Sequence, residues 1–67
     1  MINKIKQLRK ERKITQEDLA YELRVSRQTI NAIEQGKYSP SLELAFDIAK
    51  FFNTTVDDIF LKGGKRK

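Results

Sequence analysis

The stretch from residue 16 to residue 36 limits the fold most, because its apolar residues recur at helical spacing on both sides of one tight turn. Thr15 and Asp18 form a capping-box pattern, which predicts that a helix begins here. Arg24 stands where the chain leaves this helix, at a position that favours a positive φ. Val25 is expected to pack into the corner. The segment therefore predicts two short helices joined by a turn.

The second of these helices has two dissimilar faces. Ser26 is the predicted N-cap, and Gly36 ends the helix at a position suited to positive φ. Ile30 and Ile33 lie three residues apart and are expected to face the core. Ala20 on the preceding helix is small enough for a close crossing. The opposite, polar face of the second helix carries Arg27, Gln28 and Asn31, with Ala32 at its edge.

The residue types on this polar face match the edges of DNA bases. Arginine forms a bidentate pair with guanine, glutamine or asparagine pairs with adenine, and alanine contacts the methyl group of thymine. A major groove admits one α-helix, whose first turns reach furthest into it. The ordinary alternative is a solvated polar face, which does not explain the close crossing, the turn and the glycine stop at matching spacing. The pattern therefore predicts base recognition in double-stranded DNA.

Flanking segments predict three further helices. The first spans about 3–12, with Asn3 as its N-cap, and Ile14 packs inside after it. The fourth spans about 41–52, where Pro40 suits the first turn and Asn53 a positive-φ stop. The core-facing stripes of these two helices are Ile5, Leu8 and Arg12, and Leu42, Ala45, Ile48, Ala49 and Phe52, flanked by Leu44 and Phe51.

A second capping-box pattern, Thr55 to Asp58, opens a short fifth helix that is expected to run through Phe60 or Leu61. Val56, Ile59 and Phe60 should close the bottom of the core. The chain is thus predicted to be an all-α domain of five helices over residues 1–62, followed by a mobile basic tail at 63–67.

Composition excludes several classes of function. The chain has 67 residues and contains neither cysteine nor histidine, so it offers no thiolate or imidazole for a metal or a nucleophile. Without histidine its serines lack an activating base, and we expect no enzyme, no cofactor and no metal. No apolar run reaches membrane length and no secretory segment is evident, so a cytoplasmic protein without membrane contact is expected.

The net charge of +5 is a weak indication of nucleic-acid binding by itself. Four basic residues lie at 62–67, which leaves residues 1–61 with a net charge of only +1. The distribution of charge is more informative, since a basic face attracts phosphate locally even on a nearly neutral body. The basic residues expected near or on the reading helix are Arg9, Lys10, Arg12, Lys13, Arg27 and Lys37.

About two-thirds of the chain resembles the Cro and phage-repressor type of helix-turn-helix regulators, and its short stand-alone members most of all. The resemblance rests on a combination of positions: Gln16, Leu19-Ala20, Leu23, Val25-Ser26, Thr29-Ile30, Ile33-Glu34, Gly36-Lys37, Pro40 and Leu42. It implies a five-helix lambda-repressor-like domain that binds operator DNA as a homodimer.

The resemblance also implies residue roles. Gln16 and Thr29 would bond phosphate, and Arg9 and Glu34 would form a partly buried ion pair. The base-reading residues would be Arg27, Gln28 and Asn31. From their place just after the reading helix, Lys37 and Tyr38 are two further candidates for phosphate contact.

Two further expectations concern the turn and the dimer. Arg24 stands where the family usually has glycine, so a positive φ there would be strained. Dimer contacts are expected around the fifth helix, at Asn53, Thr54, Val56 and Leu61. The chain ends, Met1–Asn3 and Phe60–Lys62, are expected to pair as a small two-stranded ribbon, as in similar short members.

The resulting hypothesis is a repressor that binds an inverted-repeat operator and blocks polymerase. An antitoxin or protein-partner adaptor with the same fold is the alternative.

Overall fold

Five short helices and a two-stranded ribbon make up residues 2–61, the part of the chain that the computed structural model describes. The predicted all-α, five-helix class is confirmed, and the ribbon is present. In chain order the elements are β1 (Ile2–Asn3), α1 (Ile5–Glu11), α2 (Gln16–Leu23), α3 (Arg27–Glu34), α4 (Leu42–Phe51), α5 (Val56–Ile59) and β2 (Phe60–Leu61). The predicted basic tail at 63–67 lies outside the described residues, as do Met1 and Lys62.

Four helices begin at a hydroxyl side chain that accepts a hydrogen bond from the third helical residue. These N-caps are Thr15, Ser26, Ser41 and Thr55. At α2 the capping box is complete, because the Asp18 carboxylate also accepts the Thr15 N–H at 3.0 Å. At α5 only half of the predicted box forms, since the Asp58 carboxylate accepts from the Thr54 hydroxyl instead. The local sequence therefore determines where these helices start.

The chain leaves three helices through left-handed residues that the sequence predicted. Arg24 has φ 61°, Gly36 has φ 76° and Asn53 has φ 57°. A fourth left-handed residue, Lys13 with φ 59°, follows α1 and was not predicted. Because Arg24 and Lys13 both carry a Cβ, each holds a conformation that glycine adopts at lower free energy.

The core lies among all five helices. Its fully buried large side chains are Ile5, Leu19, Ile30, Ile33, Ile48 and Ile59. Ala20 is also buried where α2 crosses α3, and the Val25 N–H bonds the Ala20 carbonyl at 3.0 Å across the turn. This close crossing fixes the orientation of α3 relative to the rest of the domain.

One residue of the predicted α4 stripe does not face the core, so that prediction is wrong. Leu42 is 69% exposed, whereas Ala45, Ile48 and Ala49 are buried. Leu42 is the first residue of α4 and is not among the side chains that pack against the core. Leu44 packs against the core from the same turn. Helical spacing alone does not show where the covering layer ends.

The ribbon corrects two predicted boundaries. Ile2 pairs with Leu61 and Asn3 with Phe60 in antiparallel register. The fifth helix consequently ends at Ile59 rather than at Phe60 or Leu61, although Phe60 still packs against the core as predicted. Asn3 lies in β1 and Lys4 is the N-cap position of α1, so the predicted helix start is one residue too early, although the Asn3 side chain still accepts the N–H of Ile5 at the start of α1.

Pro40 also lies outside its predicted element. It precedes Ser41, the N-cap of α4, and is therefore not in the first turn of that helix. Proline restricts the backbone of the preceding residue and supplies no N–H, which suits the approach to a helix as well as its first turn.

Two classes of feature are not found within residues 2–61. No helix there has the length and apolar character that crossing a bilayer requires. The chain has no histidine or cysteine, and no group of three or more aspartates or glutamates in this part of the chain is arranged to hold a metal ion.

Candidate nucleic-acid interface

Helix α3 exposes one polar face and buries the other. Arg27, Gln28 and Asn31 are exposed, whereas Ile30 and Ile33 have no exposed surface. The two isoleucines hold the helix on the core along one side, so the three polar side chains extend into solvent on the other. These three residues are called the reading face below.

Two open grooves flank the reading face. A groove of about 230 Å³ is lined by Ser26, Gln28, Thr29, Ala32 and Tyr38. A groove of about 440 Å³ is lined by Arg9, Thr15, Gln16, Glu17 and Arg27. The structure thus brings Gln28 together with Thr29 and Tyr38, and brings Arg27 together with Gln16. Lys37 is exposed but lines neither groove.

Asn31, in the middle of the reading face, belongs to a network of side-chain amides. Its Oδ1 accepts hydrogen bonds from Gln16 Nε2 at 3.1 Å and from Gln35 Nε2 at 3.3 Å. Gln16 Nε2 also donates to Glu34 Oε1 at 3.0 Å. The amide of Asn31 is therefore held from two sides before any ligand arrives.

Beneath this network, Glu34 and Arg9 form the ion pair that the resemblance implies. Arg9 Nε lies 2.8 Å from Glu34 Oε2, and Arg9 Nη2 lies 3.3 Å from Oε1. Their side chains are only 10% and 4% exposed. Arg9 Nη1 also donates to the Ile14 carbonyl at 3.0 Å. This bidentate pair fastens α1 to the C-terminal end of α3.

A second brace holds α3 and was missed at the level of sequence. Asn3 Nδ2 donates to the Ile33 carbonyl at 2.7 Å, and Asn3 Oδ1 accepts from the Ile5 N–H at 3.2 Å. The Asn3 side chain therefore links β1, α1 and α3. The sequence gives a polar residue ahead of a helix, but it does not show that a carbonyl 30 residues away needs a donor.

The candidate phosphate ligands differ in how free their donors are. Both Nε2 protons of Gln16 are used by Asn31 and Glu34, which leaves its side chain with an acceptor. The Thr29 hydroxyl lies 2.9 Å from the Ser26 hydroxyl. Lys37 is exposed, and Tyr38 is 49% exposed. Their contacts with phosphate stay predictions.

The basic face is smaller than the sequence predicted. The charge of Arg9 is buried and paired with Glu34. Arg12 donates to the Phe51 carbonyl at 3.1 Å, and its guanidinium lies 5.6 Å and 5.3 Å from the ring centroids of Phe51 and Phe52. Arg12 therefore covers the end of α4 and does not extend the reading face.

The predicted dimer positions gather at the turn between α4 and α5 and in β2. Asn53 is exposed, whereas Thr54 and Val56 are half-buried. Val56 packs against the core and Thr54 donates to Asp58, so both already have contacts within the subunit. Leu61 lies in β2. Their role in a dimer stays a prediction.

Comparison with known proteins shows which family the chain resembles. A helix-turn-helix family model matches residues 5–59. An uncharacterized HTH-type transcriptional regulator of Methanocaldococcus jannaschii is 62% identical over 61 residues, which are 91% of this chain and 92% of that protein. The cryptic phage CTXphi transcriptional repressor RstR of Vibrio cholerae is 37% identical over 57 residues, 85% of this chain and 51% of RstR.

The sign of regulation differs among these relatives. The HTH-type transcriptional activator BcrR of Enterococcus faecalis is 45% identical over 56 residues, which are 84% of this chain but only 28% of BcrR. Most of the activator therefore lies outside the shared region, whereas nearly all of the archaeal relative lies within it.

Proposed function

Because this chain belongs to the helix-turn-helix family of DNA-binding transcriptional regulators, we propose that it is a repressor that binds an inverted-repeat operator in double-stranded DNA as a homodimer. Family membership accounts for DNA binding and regulation. The operator symmetry, the dimer and the direction of regulation are the proposal's own content.

The exposed reading face of α3 is the observation that carries the proposal. Arg27, Gln28 and Asn31 project from a helix whose other side is fully buried. Such a helix enters a major groove with its first turns deepest, so Arg27 and Gln28 would lie closest to the base edges. Arg27 suits guanine and Gln28 suits adenine, because each offers two matching hydrogen-bonding groups.

Phosphate contacts would hold α3 in register along the duplex. The N–H groups at the start of α2 have no partners within that helix and adjoin the groove lined by Arg27. Because the side-chain protons of Gln16 are already used, we infer that its backbone N–H serves phosphate. Thr29, Lys37 and Tyr38 would contact phosphates near α3. These contacts position the protein without specifying sequence.

A two-fold axis would place two copies of α3 in successive major grooves, about 34 Å apart. The proposed contacts are Asn53, Thr54, Val56 and Leu61, near the turn between α4 and α5. Asn53 supports this choice because it is exposed. A symmetric dimer of this kind explains why the operator would be an inverted repeat.

Repression is favoured over activation by the extent of the shared region. A repressor that blocks polymerase needs only a domain that occupies the promoter. RstR is a named repressor with half of its length in the match, whereas BcrR is a named activator with about a quarter of its length in the match.

A third groove, between α2 and the end of α4, favours a second candidate function, that of a protein-partner adaptor. The groove has a volume of about 460 Å³ and is lined by Glu17, Asp18, Glu22, Ile14, Tyr21 and Phe51. Tyr21 is 82% exposed. A Tyr21→Lys variant that keeps its affinity for DNA but loses regulation in cells would favour this candidate.

Selection of bound DNA from a random pool tests the main proposal. We expect an inverted repeat with half-site centres 10–10.5 base pairs apart or a multiple of that spacing. Gln28→Ala should lose about 1–3 kcal/mol of binding free energy and relax specificity at one base position in each half-site.

Gln7→Ala, on the exposed surface of α1, is the matched control and should bind as the unaltered protein does. Enrichment of no sequence, or unaltered specificity in Gln28→Ala, would contradict the proposal.

A further inference from the structure

We propose that Asn31 reads the keto oxygen of a guanine or a thymine, and that Gln16 sets this preference by holding the Asn31 amide in one orientation. This inference rests on the proposed entry of α3 into the major groove. It departs from the pairing with adenine that asparagine on such a face ordinarily suggests. Gln16 acts here as a positioning residue, because it sets the orientation of the group that meets the base.

The orientation of Gln16 follows from the buried carboxylate. Both carboxylate oxygens of Glu34 face donors of the Arg9 guanidinium, at 2.8 Å and 3.3 Å, so each acts as a hydrogen-bond acceptor. The Gln16 atom that lies 3.0 Å from Glu34 Oε1 must therefore be the amide nitrogen. One proton of that nitrogen points to Glu34, and the other is available to a second acceptor.

That second acceptor is Asn31. Gln16 Nε2 lies 3.1 Å from the Asn31 side chain, and a donor at that distance requires the oxygen of the Asn31 amide to face it. Gln35 Nε2 lies 3.3 Å from the same oxygen and adds a second donor. The charge of Glu34 thus fixes Gln16, and Gln16 in turn fixes Asn31.

Asn31 consequently presents donors and no free acceptor to a ligand. Both lone pairs of its oxygen are used within the protein, whereas its Nδ2 protons have no hydrogen-bond partner among residues 2–61. Guanine offers O6 and N7 as acceptors in the major groove, and thymine offers O4. Adenine also offers N7 as an acceptor, but its adjacent amino group, like that of cytosine, is a donor that would meet no acceptor on Asn31.

Reversal of the amide would break the network. If Asn31 turned its nitrogen towards Gln16, two donors would face each other. If Gln16 turned as well, its oxygen would face the Glu34 carboxylate, and two acceptors would lie 3.0 Å apart. The fully satisfied arrangement therefore exists in one orientation only, set before DNA arrives.

Base selection with three proteins tests this inference. Asn31→Ala identifies the position that Asn31 reads, since preference at that position should disappear. The unaltered protein should select guanine or thymine there over adenine by at least about fivefold. Gln16→Met has a similar length but no donor. Gln35 is exposed and can turn its own amide together with that of Asn31, so the Asn31 amide becomes free to turn in this variant. At the same position adenine should then approach the affinity of the keto base.

The ratio of keto base to adenine separates this role from a phosphate contact or a loss of stability. Either of those would weaken all sequences alike and leave the ratio unchanged. Selection of adenine at the Asn31 position by the unaltered protein would overturn the inference while leaving the proposed function intact. An unchanged ratio in Gln16→Met would overturn the role of Gln16.

NMR of the free protein tests the orientation without DNA. The Gln16 side-chain NH₂ protons should exchange with water at least about tenfold more slowly than those of Gln28, which is exposed and has no hydrogen-bond partner among residues 2–61. The Asn31 NH₂ protons should exchange as rapidly as those of Gln28. Rapid exchange at Gln16, or slow exchange at Asn31, would overturn the inference even if no operator were found.

Discussion

At the scale of single residues, Glu34 contributes both to the stability of the domain and to the arrangement of the polar side chains on the reading face. Its carboxylate accepts from Arg9 on α1 and from Gln16 on α2. Ion pairs on protein surfaces contribute little, but a pair that is 10% and 4% exposed is largely removed from water. Loss of one partner would leave the other charge buried and unbalanced.

We expect Glu34→Gln to lower the free energy of unfolding by about 3–5 kcal/mol, because Arg9 loses its counter-charge in a buried position. Urea denaturation followed by circular dichroism measures this change. Glu22→Gln, which removes the same charge from the exposed surface of α2, should change stability by less than about 0.5 kcal/mol. Equal effects of the two substitutions would contradict the importance of burial.

Arg24 is a second residue with a measurable consequence. Its φ of 61° costs a residue with a Cβ about 1–2 kcal/mol. Arg24→Gly relieves that strain, although the greater freedom of glycine in the unfolded chain offsets about 0.4–1 kcal/mol. The net gain of about 0–1.6 kcal/mol should leave Tm unchanged or raise it by up to several degrees, as measured by calorimetry. Arg24→Ala keeps the Cβ and should give no such rise; a lower Tm for Arg24→Gly would refute the strain.

Single residues show which conformations a sequence predicts by itself. Asn53 and Gly36 are types that tolerate positive φ, and Arg24 follows a helix at the expected distance, so all three were predicted. Lys13 gives no such local signal. Asn3 is predicted as an N-cap from its residue type. Its bond to the Ile33 carbonyl is not predicted, because the two groups become neighbours only after the chain has folded.

At the scale of elements, helix starts carry most of the local information. Thr15, Ser26, Ser41 and Thr55 each cap a helix of ten residues or fewer. Helices this short are marginal in water, so a capping bond is a sizeable part of what holds each end in place. The caps also decide where α3 begins, and hence which residues reach its first turn.

We expect Ser26→Ala to lower stability by about 1 kcal/mol and to weaken operator binding, because the first turn of α3 loses its acceptor. Thermal denaturation and a binding titration measure the two effects. Ser39→Ala, an equal change in the exposed loop before α4, serves as control and should alter neither. If Ser26→Ala matched that control, the cap would have no role in presenting α3.

Elements also show where sequence reasoning stops. Leu42 has the spacing of a core residue, but at the first position of α4 it stays exposed, whereas Leu44 in the same turn packs against the core. Phe60 was expected in α5, yet it pairs with Asn3 in the ribbon while still packing on the core. In both cases the residue type predicted an apolar contact, whereas the neighbours that the side chain meets are determined only by the assembled fold.

At the scale of the whole molecule, the proposed dimer predicts a spacing requirement. Two copies of α3 held about 34 Å apart can enter only grooves on one face of the duplex. Insertion of five base pairs between the half-sites rotates one of them by about half a turn. We expect the affinity to fall to that of a single half-site in a mobility-shift titration.

The same five base pairs inserted outside the operator provide the control and should leave affinity unchanged. Tight binding to the internally expanded operator would refute a rigid dimer and favour independent subunits. Either result would be clear from one titration series.

The candidate site was predictable in part. Helical spacing was enough to predict that Ile30 and Ile33 face inward and that Arg27, Gln28 and Asn31 face outward. The pairing of Arg9 with Glu34 came from resemblance to a family, since 25 residues separate them. The orientation of the Asn31 amide required the folded network, because Gln16 on α2 and Glu34 on α3 determine it together.

The ribbon has a mechanical consequence. Ile2 and Leu61 lie opposite each other in antiparallel register. A pulling force applied between these two residues would therefore break the interstrand hydrogen bonds one after another. It would not stretch all of them at the same time. The ribbon should separate first and at low force, while α3 is still packed against the core.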